Sequence, residues 1–150
     1  MKKLSLFVLV VLLSLNLVAC GTSTPAATQV PTQQNTSLPV ASSAVFQVVK
    51  ADGSKFDVTL DALKKLPLAN ITMDGKVQEG PKLLDILTLA GVTDFTEVTL
   101  TGSASPVTLT RAQVDDNTIL DFNNHGTLKL ATTYVPMPDW TKDISEITVK

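Results

Sequence analysis

From Val45 onward the chain switches repeatedly between two hydrophobic periods. Val45-Phe46-Gln47-Val48-Val49 is a short apolar run that predicts a strand. Phe56 and Val58 alternate with Lys55 and Asp57, the period-two signature of a half-buried strand. Ala51-Asp52-Gly53-Ser54 between them is a turn with a strong hairpin signal. Leu60, Leu63 and Leu66 then fall at helical spacing over Thr59 to Leu66. Thr59 is a suitable cap, Lys64 and Lys65 suit the C-terminal end, and Pro67 stops the helix. Leu68 to Gln78 reads as strand, turn, strand, with Asp74-Gly75 at the turn. Gly80-Pro81 opens the clearest helix, in which Leu83, Ile86, Leu87 and Ala90 stand at i, i+3, i+4 and i+7. Gly91 is placed to end it.

The second half is mostly extended. Phe95 to Thr101 alternates, with Phe95, Val98 and Leu100 as its apolar positions, and Pro106 to Leu109 is a short strand. Thr110 to Val114 predicts one helical turn capped by Thr110. Thr118 to Phe122 is a strand, Asn123-Asn124-His125-Gly126 a turn, and Thr127 to Val135 a further strand. Pro136 and Pro138 break the chain, and Ile144, Ile147 and Val149 mark a closing strand. Many short strands, two main helices and one helical turn predict a single α+β domain with a mixed sheet and hairpins, over residues 45–150. No internal repeat is present, and the order does not alternate as a doubly wound sheet would.

The N-terminus follows a different pattern. Lys2 and Lys3 precede an apolar stretch from Leu4 to Val18, which closes on Leu17-Val18-Ala19-Cys20-Gly21. A basic start, a short apolar middle and small residues at a cut site make a secretory signal. The stretch is shorter than the roughly 20 residues a spanning helix needs. Leu17 to Cys20 resembles the bacterial lipobox, in which the cysteine is lipidated and becomes the new N-terminus. The resemblance implies a signal peptide over 1–19, a lipid on Cys20, and residence at the extracytoplasmic face of the bacterial cell membrane. Buried methylenes contribute about 0.8 kcal/mol each, and more than one acyl chain makes such an anchor stable. Gly21 to Ala44 is built of small and polar residues with neither charge nor aromatic ring, so 20–44 reads as a flexible tether.

Two chemical consequences follow. Cys20 is the only cysteine, so a lipidated chain has no thiol for a disulfide, a nucleophile or a soft metal. Without Lys2 and Lys3 the twelve basic residues become ten against fourteen acidic ones, a formal charge of −4. No basic cluster offers to neutralise a phosphate backbone, which argues against a nucleic-acid partner.

The order of short motifs resembles the oxidoreductase molybdopterin-binding domain of sulfite-oxidase type. Phe56 to Leu63 followed by Leu66-Pro67 looks like its extended arm, helix and Leu-Pro. Gly80-Pro81-Lys82-Leu83-Leu84-Asp85-Ile86-Leu87 with Ala90-Gly91-Val92 looks like its glycine-led helix ending in Ala-Gly-Val. Val107 to Thr110, Thr118 to Leu120, and Ile144 to Val149 resemble the elements that follow. The resemblance implies the fold over nearly all of 45–150, with molybdopterin as the possible cofactor. The family also holds its metal through a cysteine between the Leu-Pro and the glycine of the second helix. Leu68 to Glu79 contains none. The fold is therefore carried over and the catalytic site is not.

Candidates for ligand binding are His125, Lys129, Arg111 and Trp140. His125-Gly126 followed by Lys129 is similar to the family's His-Gly before an Arg-bearing strand, with Lys in place of Arg. The structural alternative for His125 is an exposed turn. Asp139-Trp140, beside Tyr134 and Met137, could line a cleft or pack in the core. Asp115, Asp116 and Asp121 offer oxygen ligands, but no loop with cation spacing surrounds them. Three functions remain open. The first is a non-catalytic module that binds a small ligand or an envelope protein, with no cofactor. The second is a molybdopterin-dependent oxidoreductase with a thiolate-free site. The third is a β-grasp-like ligand-binding domain, which the helix Lys82 to Leu87 with Ala90-Gly91 also resembles.

Overall fold

The computed structural model describes residues 43–150. The expected signal peptide, Cys20 and all but the end of the expected tether lie outside the described residues. The α+β expectation holds, and the described residues form three sheets around two helices.

The largest sheet has five strands. β1 (Ala44–Val49) pairs antiparallel with β2 (Lys55–Thr59) across the Asp52-Gly53 turn, where Gly53 has φ +81°. β5 (Glu97–Thr101) and β6 (Val107–Thr110) make a second hairpin. The closing strand β9 (Glu146–Val149) lies between the two, parallel to β1 and antiparallel to β5. The order is β2-β1-β9-β5-β6. Alternation decides which face is buried: Phe46, Val48, Val58, Val98, Leu100, Leu109, Ile147 and Val149 all point into one core.

The helices cover that core. α1 (Leu60–Leu63) is a single turn, shorter than the Thr59 to Leu66 span that the leucine spacing predicts. The Thr59 side chain caps it, accepting from the Ala62 N–H at 3.3 Å. Leu63 alone of its leucines is fully buried, so one turn is enough to present the anchoring side chain. α2 (Leu83–Leu89) buries Leu83, Ile86 and Leu87 with Ala90 just beyond, as their spacing predicts. Gly91, at φ +76°, ends it in a Schellman turn. The Val92 N–H bonds the Leu87 carbonyl at 2.8 Å, and the Gly91 N–H bonds that of Thr88 at 2.9 Å.

The start of α2 differs from expectation. Gly80 and Pro81 belong to β4 (Lys76–Pro81), which pairs with β3 (Leu68–Met73) through the Asp74-Gly75 turn. Lys82 is the residue before the helix, so α2 opens two residues later than the Gly-Pro pair suggests. Tertiary pairing overrides the local signal here, because Gly80 lies opposite Ala69 and Pro81 opposite Leu68.

β7 (Thr118–Phe122) and β8 (Leu128–Thr132) form the middle layer. Leu120, Leu128 and Leu130 face the main core, while Ile119 and Ala131 face Ile71 and Trp140 in a smaller one. Both faces of these strands are therefore largely buried, with Asp121, Phe122 and Lys129 only partly so. β8 ends at Thr132 rather than Val135. Thr118 and Thr132, opposite one another and buried, share a hydroxyl hydrogen bond of 2.9 Å.

Candidate functional site

Strand alternation brings one cluster of polar side chains together. On β4, Lys76, Gln78 and Gly80 share a face, opposite Met73, Ile71 and Ala69 of β3. On β8, Lys129 shares the face of Ala131 and lies opposite Asp121 of β7, which it meets at 3.0 Å. A 3-10 turn over Met137–Asp139 then carries the chain past both hairpins toward Trp140 and Lys142. The result is a pocket of about 390 Å³ lined by Asp74, Lys76, Gln78, Lys129, Met137, Pro138, Trp140 and Lys142. That volume lies within the usual range for small-molecule sites.

Two features set its chemistry. Gln78 is only 6% exposed, yet its Oε1 has no hydrogen-bond partner. Its Nε2 donates to the neighbouring Val77 carbonyl at 3.2 Å. A buried acceptor left unpaired costs on the order of 1–3 kcal/mol, so a ligand or water that donates to it is favoured. The second feature is charge. Three lysines and one aspartate line the pocket, in a chain whose formal charge is negative. Lys129 is matched by Asp121, whereas Lys76 and Lys142 form no ion pair among the described residues.

The walls are fixed by neighbours. Trp140 is 2% exposed, packs with Ile71, Ile119 and Ala131, and donates its Nε1–H to the Val135 carbonyl at 2.9 Å. It is thus both a core residue and a pocket wall. The Lys142 carbonyl is gripped by Ser103, through N–H at 2.7 Å and Oγ at 3.2 Å. Next to it Asp143 sits at φ +47° and accepts from Thr127 Oγ1 at 2.6 Å, Ser103 Oγ at 2.8 Å and Asn123 Nδ2 at 3.0 Å. These bonds, that from Thr127 foremost, hold its carboxyl below the usual range, and the nearby His125 acts in the same direction.

Of the residues singled out from sequence, Lys129 and Trp140 meet in this pocket, and Met137 joins them. His125 and Arg111 do not line it. His125 sits in the exposed turn before Gly126, its backbone N–H donating to Asn123 Oδ1 at 2.9 Å. Arg111 stacks its guanidinium 4.9 Å from the Phe95 ring centre and donates to the Val114 carbonyl at 3.3 Å, so it serves the local turn. Tyr134 donates to Asp115 at 2.6 Å, and Asp116 pairs with Lys82 at 2.6 Å. The three acids named as oxygen ligands are therefore each engaged with a different partner. Lys76, Gln78 and Lys142 were missed. The signal that could have found Gln78 is an amide at an inward position of an alternating strand.

The donors that molybdopterin chemistry requires do not fit this site. Leu68 to Glu79 is a plain hairpin without cysteine, and no arginine or histidine lines the pocket. Among the described residues no group of three or more His, Cys, Asp or Glu side chains is placed to hold a metal ion. A second, smaller cleft of about 260 Å³ lies beside Lys50, Asp52, Gly91 and Asp94, with no buried unpaired group in its lining. Among the described residues no helix is long and apolar enough to cross a membrane. Compared with known proteins, the chain matches no family and no curated protein.

Proposed function

We propose that this chain is a lipid-anchored protein of the extracytoplasmic face of a bacterial membrane, whose domain binds a small ligand without redox chemistry. The observation that carries the reading is a pocket walled by Trp140 and three lysines whose lining includes Gln78, a residue with a buried, unpartnered Oε1. The lipobox-like Leu17 to Cys20 supports the anchor, and the motif order supports a fold of sulfite-oxidase molybdopterin-binding type. With the thiolate position empty of cysteine, such a fold would serve as a binding scaffold. Fold alone does not fix function, so the pocket carries the argument.

A second reading, a β-grasp-like ligand-binding domain, is favoured by the main sheet. Two hairpins flank a final strand that runs parallel to the first, and the apolar face of α2 belongs to the same core. Both readings place the ligand in the same pocket.

Native mass spectrometry of the full chain, extracted from membranes in detergent, tests the proposal. The expected spectrum shows acylated protein with a small non-covalent adduct that lacks metal. About one molybdenum and one pterin per chain would overturn the non-catalytic reading in favour of an oxidoreductase.

A further inference from the structure

We infer that the pocket takes a small hydroxylated organic anion, a sugar acid or sugar phosphate, with its hydroxyl donated to Gln78 and its charge held by Lys76 and Lys142. The inference rests on the binding-module reading above and names its ligand class.

Three independent walls point the same way. The first is cationic. Lys129 already faces Asp121, which leaves Lys76 and Lys142 as the uncompensated charges of the lining against Asp74. Lysines are point charges without a planar fork, so they suit either a carboxylate or a phosphate. The second wall is an acceptor. A bare inorganic anion would set its own oxygens against Gln78 Oε1, which is repulsive. The site instead calls for an O–H or N–H beside the negative group. In the free protein that acceptor is shielded from solvent and unpaired, and a ligand hydroxyl would be its first partner. The third wall is apolar. Met137, Pro138 and Trp140 offer a surface for the C–H face of a saturated ring.

The geometry permits the exchange. Gln78 Nε2 is held by the Val77 carbonyl, so the amide cannot turn its own donor into the pocket without losing that bond. Its terminal torsion is soft, so giving up that one bond lets the amide turn its buried Oε1 toward a donor in the pocket. Gln78 is itself framed by Ile71, its cross-strand partner, and by the β4 backbone that abuts β7.

Trp140 is the only tryptophan in the chain and lines the pocket, so its fluorescence reports on occupancy. Full-length protein in detergent is titrated with four probes. Glucuronate has hydroxyls and a carboxylate, and glucose 6-phosphate has hydroxyls and a phosphate. Glucose has hydroxyls without charge, and cyclohexanecarboxylate has ring and charge without hydroxyls. At least one of the first two is expected to saturate the signal, and the tighter of them identifies carboxylate or phosphate as the anionic group. Glucose and cyclohexanecarboxylate should bind at least about tenfold more weakly, the effect of one lost hydrogen bond or charge contact. Gln78→Met, close in volume, should bring the preferred anion down to the level of cyclohexanecarboxylate. Gln78→Glu should weaken both sugar anions, because it sets a negative charge beside theirs. The pair Lys76→Gln with Lys142→Gln should flatten the salt dependence of binding.

Cyclohexanecarboxylate binding as tightly as glucuronate, or no saturable response to either sugar anion, overturns the inference. If a small adduct persists in the native mass spectrum while these probes fail, the binding module stands and only its ligand class is wrong. Metal and pterin in that spectrum would remove the reading on which the inference rests.

Discussion

Gly80 abuts Leu120 so closely that a Cβ on Gly80 would stand 1.9 Å from the Leu120 carbonyl oxygen and 2.6 Å from its carbon. The backbone of β4 thus lies against that of β7, and the layer carrying Gln78 is seated on the middle hairpin. Gly80→Ala should cost about 1–3 kcal/mol, because backbone must move to admit the methyl group. Gly75→Ala is the control. It meets nothing within 4 Å and carries only the penalty of its φ of +74°, roughly 1 kcal/mol. Urea unfolding of the two variants checks this, and equal midpoints would contradict the close approach.

Leu87→Ala should be among the most damaging changes. Leu87 is fully buried at the centre of the α2 face, and its carbonyl also closes the Schellman turn. Truncating a buried leucine costs about 2–5 kcal/mol through lost transfer energy and a residual cavity. Leu89, on the same helix but exposed, should lose less than about 0.5 kcal/mol on the same change. Denaturant midpoints that fail to separate the two would mean that the apolar face is misplaced.

Asp143 predicts an acid limb. Its carboxyl is held below its ordinary value of 3.8, chiefly by the bond from Thr127. A depressed folded value means that the stabilisation is fully present above the unfolded value. It is lost as pH falls through the folded one. Unfolding midpoints should therefore fall as pH drops below about 4, and Asp143→Asn should flatten that limb while lowering stability at neutral pH. An unchanged pH profile in the variant would remove Asp143 as its source.

Cys20→Ser should abolish metabolic labelling by palmitate and leave unprocessed precursor. The motivation is Leu17-Val18-Ala19-Cys20 after a basic, apolar start. Equal labelling of wild type and variant sinks the anchor, and with it the placement at the membrane.

What was legible in the chain was what a single element decides. The α2 face reads directly from Leu83, Ile86, Leu87 and Ala90, and its end from Gly91. The Thr59 cap was equally plain, though its helix stops after one turn. Gly80-Pro81 was misread because a Gly-Pro pair before an apolar run looks like a helix start. Only the opposing Leu68 and Ala69, and the distant Leu120, show it to be strand. The pocket was half visible for the same reason. Trp140 and Lys129 announce themselves by type and local setting. Gln78, Lys76 and Lys142 are ordinary residues until two hairpins and a 3-10 turn converge.

Among the described residues β9 follows every other strand in sequence, and it joins the two halves of the main sheet, between β1 and β5. Its pairing of Glu146 with Gln47 spans nearly the whole domain. Contacts of such separation are slow to form, because a long loop must close before they repay it. A chain in which Glu146–Val149 is still held in a ribosome or channel has two separate hairpins and no seam between them. Closure of the main sheet therefore waits for β9, and loss of residues 146–150 would open the sheet down its middle.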